Sequence, residues 1–348
     1  MLELSSLADL EPALRADGFF GRDGWIARAY IGYRCGEELR RTAHPAPPEA
    51  CALPAAAVSI EREGAPRPRG GGFSIGAWQR SWSDAEYAEA VTAVRAAIAE
   101  GDVYQANLVQ HLSAEFAGDP NGVAVALAPL RPLEPRALVG RDWAVVSASP
   151  ELFLSRRGRR VWTSPIKGTR PAGVPVESAK DAAEHVMIVD LERNDLSRVC
   201  APGSVRWPEL LAERGMAGVT HLVSTVEGTL QPGTTLTQLL EATFPGGSVT
   251  GAPKIAALDL IAALEPVGRG ASMGALGTIR PNGDLDLALT IRTFAVAEGR
   301  IHLWVGGGIV WESEPAAEIE ESWVKARPLL AAIGSVVPAE LRRAEAPV

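Results

Sequence analysis

The chain has 348 residues, 47% hydrophobic and 22% charged, a globular composition that excludes wholesale disorder. With 34 Lys+Arg against 42 Asp+Glu it carries a net charge of −8 and no long basic run, which argues against a dedicated nucleic-acid binder while leaving room for a local cationic site. Three widely spaced cysteines without a CxxC pair (Cys35, Cys51 and Cys200) argue against a disulfide framework and a structural zinc site.

Residues 1–41 read as a short, irregular α/β segment. Residues 42–72 are dense in proline and glycine, including Pro47-Pro48 and Gly70-Gly71-Gly72, and read as a linker or a run of loops between short strands, at the junction of an N-terminal lobe with the main body. Ser83-Asp84-Ala85-Glu86 forms a capping box, Tyr87, Val91, Val94 and Ile98 follow at helical spacing, and Gly101 ends the expected helix. Strands are expected at 103–111, 143–147, 152–154 and 161–162, then a helix over 181–193. Further strands are expected at 221–226 and 274–279, with helices over 236–242 and 252–264. The runs 286–294 and 300–305 read as two strands of a hairpin turning at Glu298-Gly299, and a last helix covers 315–332 with Pro315 in its first turn. Strands that succeed one another through short turns favour an α+β fold on antiparallel sheets over a doubly wound parallel one. No apolar stretch approaches the roughly 20 residues that span a bilayer, and Glu3 stands where a signal peptide carries Lys or Arg. A cytoplasmic protein with no membrane or nucleic-acid partner is the expectation.

The last helix carries the most chemistry. Glu318, Glu321 and Lys325 fall at i, i+3 and i+7, on one face, directly after a strand that ends in Gly306-Gly307-Gly308. Consecutive glycines let backbone amides approach an anion closely. Asp181 and Glu184 supply a second carboxylate pair at i and i+3. Carboxylates from two helices, with few nitrogen or sulfur donors nearby, suit Mg²⁺ better than zinc. Pro245 to Lys254 is a glycine-rich turn entering a helix, but Ala-Pro-Lys follows Gly251, so the nucleotide phosphate loop is not met. The amides of Thr250, Gly251 and Ala252 remain candidates for holding a carboxylate. Lys167 lies between Ile166 and Gly168, Glu151 follows Ser149-Pro150, His221 precedes an apolar run, and Arg292 interrupts an apolar strand. Singly, each of these reads equally well as a structural residue.

Together they form an ordered set. GDVYQANL (101–108), SPELF (149–153), PIKGTRP (165–171), AEHVMIVDLERNDLSRV (183–199), THLVSTVEG (220–228), FPGGSVTGAPK (244–254), LTIRT (289–293) and GGGIVWESEPAAEIEESWVKA (306–326) resemble the chorismate-utilising enzymes, in that family's order. Within the family the resemblance runs to the aminodeoxychorismate (para-aminobenzoate) component I branch. There the string reads Pro-Ile-Lys-Gly-Thr, with Lys167, where the anthranilate branch has Pro-Ile-Ala-Gly-Thr.

The resemblance implies two packed, largely antiparallel β-sheets with helices outside. It implies a catalytic domain over 76–335, preceded by a reduced N-terminal lobe and junction at 1–75 and followed by a tail at 336–348. Mg²⁺ would be held by Glu184 and Glu321, with Glu318 and Asp181 in support. Chorismate's two carboxylates would meet Lys325, Arg292 and the backbone at Thr250, Gly251, Ala252, Gly306 and Gly307. His221 would lie over the ring, Glu151 would be the general acid, and Lys167 a covalent nucleophile. A free lysine is only roughly 0.04% neutral at pH 7, so a lowered Lys167 pKa is expected. Ammonia would come from a glutamine amidotransferase subunit, since no cysteine here sits in a glycine-rich nucleophile elbow. Ser272-Met273-Gly274 stands where the family has Tyr-x-Gly, and no match to the family's N-terminal Leu-Leu-Glu-Ser-Ala segment is found.

Overall fold

The computed structural model describes residues 1–66, 68–171, 179–216 and 219–335. Among the described residues seven α-helices follow one another: α1 (Leu10–Ala16), α2 (Asp84–Glu100), α3 (Pro120–Leu127), α4 (Ala179–Ser197), α5 (Leu236–Thr243), α6 (Lys254–Leu264) and α7 (Pro315–Ala332). The first nine strands are β1 (Leu2–Leu4), β2 (Trp25–Ile31), β3 (Ala56–Arg62), β4 (Phe73–Ile75), β5 (Gln79–Arg80), β6 (Gln105–Gly118), β7 (Leu138–Val139), β8 (Trp143–Ser147) and β9 (Leu152–Arg157). Then come β10 (Arg160–Ser164), β11 (Ile166–Pro171), β12 (Arg206–Met216), β13 (Val219–Thr229), β14 (Gly251–Ala252), β15 (Ala275–Ile279), β16 (Leu285–Leu289), β17 (Thr293–Ala297) and β18 (Arg300–Ile309).

These strands build two antiparallel sheets. One has ten strands in the order β1-β3-β2-β15-β16-β9-β10-β13-β11, with β12 also on β13; the other has eight, β14-β6-β18-β17-β8-β7, with β4 and β5 on β6. Strand alternation assigns the layers. On β17, Ala295 and Ala297 join a core shared with Leu154, Val161 and Leu276 of the first sheet, while Phe294 and Val296 face Trp323, Ala326 and Leu329 of α7. The sheets therefore pack on each other, and helices cover the outside: the α+β architecture expected.

Two local readings change, at 286–294 and at 252. Residues 286–294 are not one strand. The chain leaves β16 in the first sheet, turns at Arg292 with φ 51°, and enters β17 in the second. The proline-rich stretch at 42–72 contains β3, which is free of proline and bracketed by Pro54 and Pro66. Through β1 to β3, residues before 75 continue the ten-stranded sheet, with β2 pairing directly with β15. The helix expected from 252 starts instead at Lys254, because Gly251 and Ala252 pair with Ala106 and Gln105 of β6. The capping box is present as read: Ser83 Oγ accepts from the Glu86 amide, and Glu86 Oε2 accepts from the Ser83 amide. Residues 336–348 lie outside the described residues, and no described helix is long and apolar enough to cross a membrane.

Candidate active site

The triple glycine of β18 is the floor on which the site is assembled. A Cβ at Gly306 would run into the Leu108 carbonyl oxygen of the paired strand β6. At Gly307 a Cβ would meet Glu321 Oε1 and Lys325 Nζ at 3.3 Å and Glu318 Oε2 at 3.6 Å. At Gly308 it would collide with the Gln105 amide nitrogen and stand 2.8 Å from Glu184 Oε1. The i, i+3, i+7 spacing on α7 thus does set three charged groups on one face, against a backbone bare of side chains.

Glu184 projects from α4. Its Oε1 accepts from Lys167 Nζ at 2.7 Å and from Gln105 Nε2 at 3.1 Å. Lys167 comes from β11, and both ion-pair side chains are mostly buried, at 14% and 13% exposure. Burial pulls the Lys167 pKa down, but the Glu184 charge and hydrogen bond, with Glu151 and Glu321 adding, raise it above the ordinary lysine value. The expected lowering is therefore not found: a desolvated lysine with a carboxylate in contact holds its proton.

Glu151, just before β9, is 5% exposed, and its Oε1 accepts from Ser248 Oγ at 2.7 Å. Burial pushes its carboxyl up, against the Ser248 hydrogen bond, Lys167, the Ile166 amide and Arg292. A carboxyl that stays protonated above the usual range is what a general acid requires. Burial lowers the Arg292 pKa and Glu151 opposes that; among the described residues no hydrogen bond or ion pair occupies the guanidinium, so it is open to an anion.

Other expectations fare differently. Lys325 Nζ donates to Glu321 Oε1 and to the Gly306 carbonyl oxygen, both at 2.8 Å, so in this state it serves the α7–β18 contact. The Thr250 amide donates to the Gly247 carbonyl oxygen at 3.2 Å, and its hydroxyl to Gly246 O at 2.8 Å. With Pro253 as the N-cap of α6, the amides of Thr250, Gly251 and Ala252 are not that helix's free N-terminal donors. His221 is on β13, its backbone opposite Thr169 and Arg214; its side chain, like that of Asp181, lies outside the described residues. Ser272, where the family has tyrosine, is fully buried.

Sequence reasoning passed over Gln105, Asp195 and His185, although all three lie inside the quoted strings. Asp195 Oδ2 accepts from Lys254 Nζ at 2.6 Å, which ties α4 to the start of α6. His185 is fully buried with both ring nitrogens unpartnered among the described residues, and burial, then Lys167, lowers its pKa to about 4. Cys35, Cys51 and Cys200 are free, and burial pushes their thiols to about 12, 12 and 11. None is a poised thiolate.

The residues fit a hard cation better than a soft one. Glu184 and the α7 pair Glu318 and Glu321 offer carboxylate oxygens only, around glycines whose missing side chains leave the space between them. Among the described residues no three His, Cys, Asp or Glu side chains gather closely enough to hold a metal ion in this state. Two of the carboxylates instead hold lysine ammonium groups.

Comparison with known proteins converges on one family. Residues 29–331 match the family described as chorismate binding enzyme. Anthranilate synthase component 1 of Thermus thermophilus is 42% identical over 285 residues, covering 78% of this chain and 61% of that protein. Aminodeoxychorismate synthase component 1 of Klebsiella aerogenes is 41% identical over 266 residues, covering 73% of this chain and 59% of that protein. The chain thus spans about three-fifths of the length of these relatives. The crystal structure of anthranilate synthase component I from Streptococcus pneumoniae superposes with a TM-score of 0.75 at 28% identity, over 87% of this chain and 81% of that one.

Proposed function

The chain belongs to the chorismate-binding enzyme family, and from that premise we propose that it is a component I of the aminodeoxychorismate type, converting chorismate and ammonia to 4-amino-4-deoxychorismate. Lys167 carries the reading. Its amine reaches Glu184 at 2.7 Å and is near enough to Glu151 and Glu321 for both to act on its charge. An amine between a buried acid and a carboxylate is equipped for covalent catalysis.

In this reading Arg292 and Lys325, with backbone amides around Gly251, Ala252, Gly306 and Gly307, face the two carboxylates of chorismate. Hydroxide is a poor leaving group, so Glu151 protonates the C4 oxygen as it departs. Lys167 sheds a proton, for which Glu184 is the adjacent acceptor, and its amine adds at C2. Ammonia then adds at C4 and expels the lysine nitrogen, while His221 lies over the ring. Glu184, Glu321 and Glu318 would hold Mg²⁺, whose chemistry when bound is Lewis-acid polarisation of a substrate carboxylate. Ammonia would come from a separate glutamine amidotransferase subunit, in keeping with the three unactivated thiols.

The equally similar anthranilate synthase of Thermus thermophilus keeps a second reading open: amination at C2 with loss of pyruvate. Mass analysis of the product from chorismate, Mg²⁺ and ammonium separates the two. A product that keeps the enolpyruvyl group and gains nitrogen is expected, from ammonium but not from glutamine with this chain alone. Anthranilate plus pyruvate would establish the second reading, and an oxygen isomer formed without ammonium would exclude both.

A further inference from the structure

Behind Glu151 stands a second buried carboxyl that this scheme does not use. Glu192 lies on α4, well beyond Glu184, and is 8% exposed. Its Oε2 is buried and has no hydrogen-bond partner, and Thr163 of β10 lines the same cavity. The side chain lines a cavity with room for about one water, walled by Phe153, Leu154, Leu196 and the Gly246-Gly247 turn. Gly247 lies against it: a Cβ there would stand 3.6 Å from Glu192 Cγ. The next residue, Ser248, donates to Glu151 Oε1 at 2.7 Å. Consecutive residues, Gly247 and Ser248, therefore lie against the two carboxyls, one each.

The charged groups facing Glu192 are Glu151, Asp195 and Lys254, and Lys254 is already engaged by Asp195 at 2.6 Å. An ionised Glu192 would be desolvated, with no cation of its own, beside Asp195 and, once Glu151 has given up its proton, beside a second like charge. Burial and those neighbours keep its carboxyl protonated well above the usual carboxylate range.

We propose that Glu192 is the proton store for Glu151: once Glu151 has protonated the departing oxygen, Glu192 passes its proton through a water in the cavity and the Ser248 hydroxyl to the Glu151 carboxylate. The proposal rests on Glu151 being the general acid of the reaction above. One O–H bond breaks on Glu192 and one forms on Glu151, while the water and Ser248 each accept one proton and release one. The proton shed by the incoming ammonia, after its C–N bond forms, recharges Glu192, so the cycle consumes none. Glu192 touches no substrate and acts only through Glu151.

Two readouts test this. Infrared spectroscopy of the resting protein at neutral pH detects protonated carboxyls without substrate. A protonated-carboxyl band lost in Glu192→Gln is expected, and an unchanged spectrum overturns the proposal whatever the reaction is. Rapid-quench kinetics with chorismate in dilute buffer is the second. Glu192→Gln should keep the first-turnover rate but lose about tenfold in steady state, less than the ~100- to 10,000-fold expected for losing a general acid itself. Acetic acid, a diffusible proton carrier, should restore the steady-state rate. First and later turnovers slowed alike, without rescue, mean that Glu192 is only structural and overturn the proposal. Should Glu192→Gln not fold, Thr163→Val decides by the same measures, since it alters the band and the steady-state rate only if Glu192 carries the proton. A wild type that never turns over chorismate sinks the proposed reaction, and the infrared band still decides whether Glu192 holds a proton.

Discussion

Burial alone lowers a lysine's pKa, and Lys167 carries that penalty, yet a carboxylate 2.7 Å away reverses the outcome. Glu184→Gln removes the charge while keeping the shape, so the burial effect is left to dominate and the Lys167 pKa falls. A charge-assisted hydrogen bond contributes about 1.5–3 kcal/mol, so its loss should raise the neutral-amine fraction roughly tenfold or more. The check is the pH dependence of Lys167 labelling by an amine-reactive reagent, read by peptide mass spectrometry; an unchanged profile would show that Glu184 does not set this charge. Residue identity was legible here because the strings around Lys167, Glu184 and Glu151 are local. The sign of the Lys167 shift was not, because it depends on which residue of another element stands against the amine. Gln105 was missed for the same reason: only the folded arrangement brings its amide, on β6, to Glu184, on α4.

At the scale of elements, the three glycines of β18 separate structural from functional demands. Gly306 admits no side chain because the obstacle is the backbone of β6, which cannot move without breaking the pairing. Gly306→Ala should therefore cost about 1–3 kcal/mol and lower the melting temperature. Gly307→Ala meets only the ends of Glu318, Glu321 and Lys325 at 3.3–3.6 Å. That variant should melt close to wild type and lose chorismate turnover, because the methyl occupies the space those groups surround. Equal melting temperatures for both variants, or full activity in Gly307→Ala, would refute this division. Two helices were fully legible at this scale: α7 runs over the residues read from its pattern, and α2 keeps its capping box, whereas α3 was not read. The break between β16 and β17 was not, because an apolar run gives no sign that its two halves enter different sheets.

For the whole molecule, antiparallel sheets follow from strands joined by short turns, whereas the place of residues 1–75 did not, since β2 pairs with β15 across a long sequence separation that composition does not reveal. The interior also stores a pH dependence. His111 and His302 stack between β6 and β18, Nε2 to Nδ1 at 3.0 Å; burial and Arg300, with His302 adding for His111, lower their pKa values to about 3 and 4. Unfolded imidazoles bind protons near 6.5. The folded chain thus holds fewer protons between about 6.5 and 3, and this contribution to stability is complete above that window and lost as pH falls through it. Burial raises the carboxyl pKa values of Glu192 and Glu265, which act in the opposite sense, so the test is a difference. The melting temperature of wild type should fall more between pH 6.5 and 4.5 than that of a His111→Gln/His302→Gln variant, and parallel curves would contradict the assignment. The central claim is the covalent role of Lys167, and trapping a chorismate-derived adduct, followed by peptide mass spectrometry, tests it most directly. The account predicts an adduct on Lys167 in wild type, none in Lys167→Ala, and loss of aminodeoxychorismate formation in that variant by ~100-fold or more with chorismate binding retained. Aminodeoxychorismate made by Lys167→Ala at the wild-type rate would contradict it.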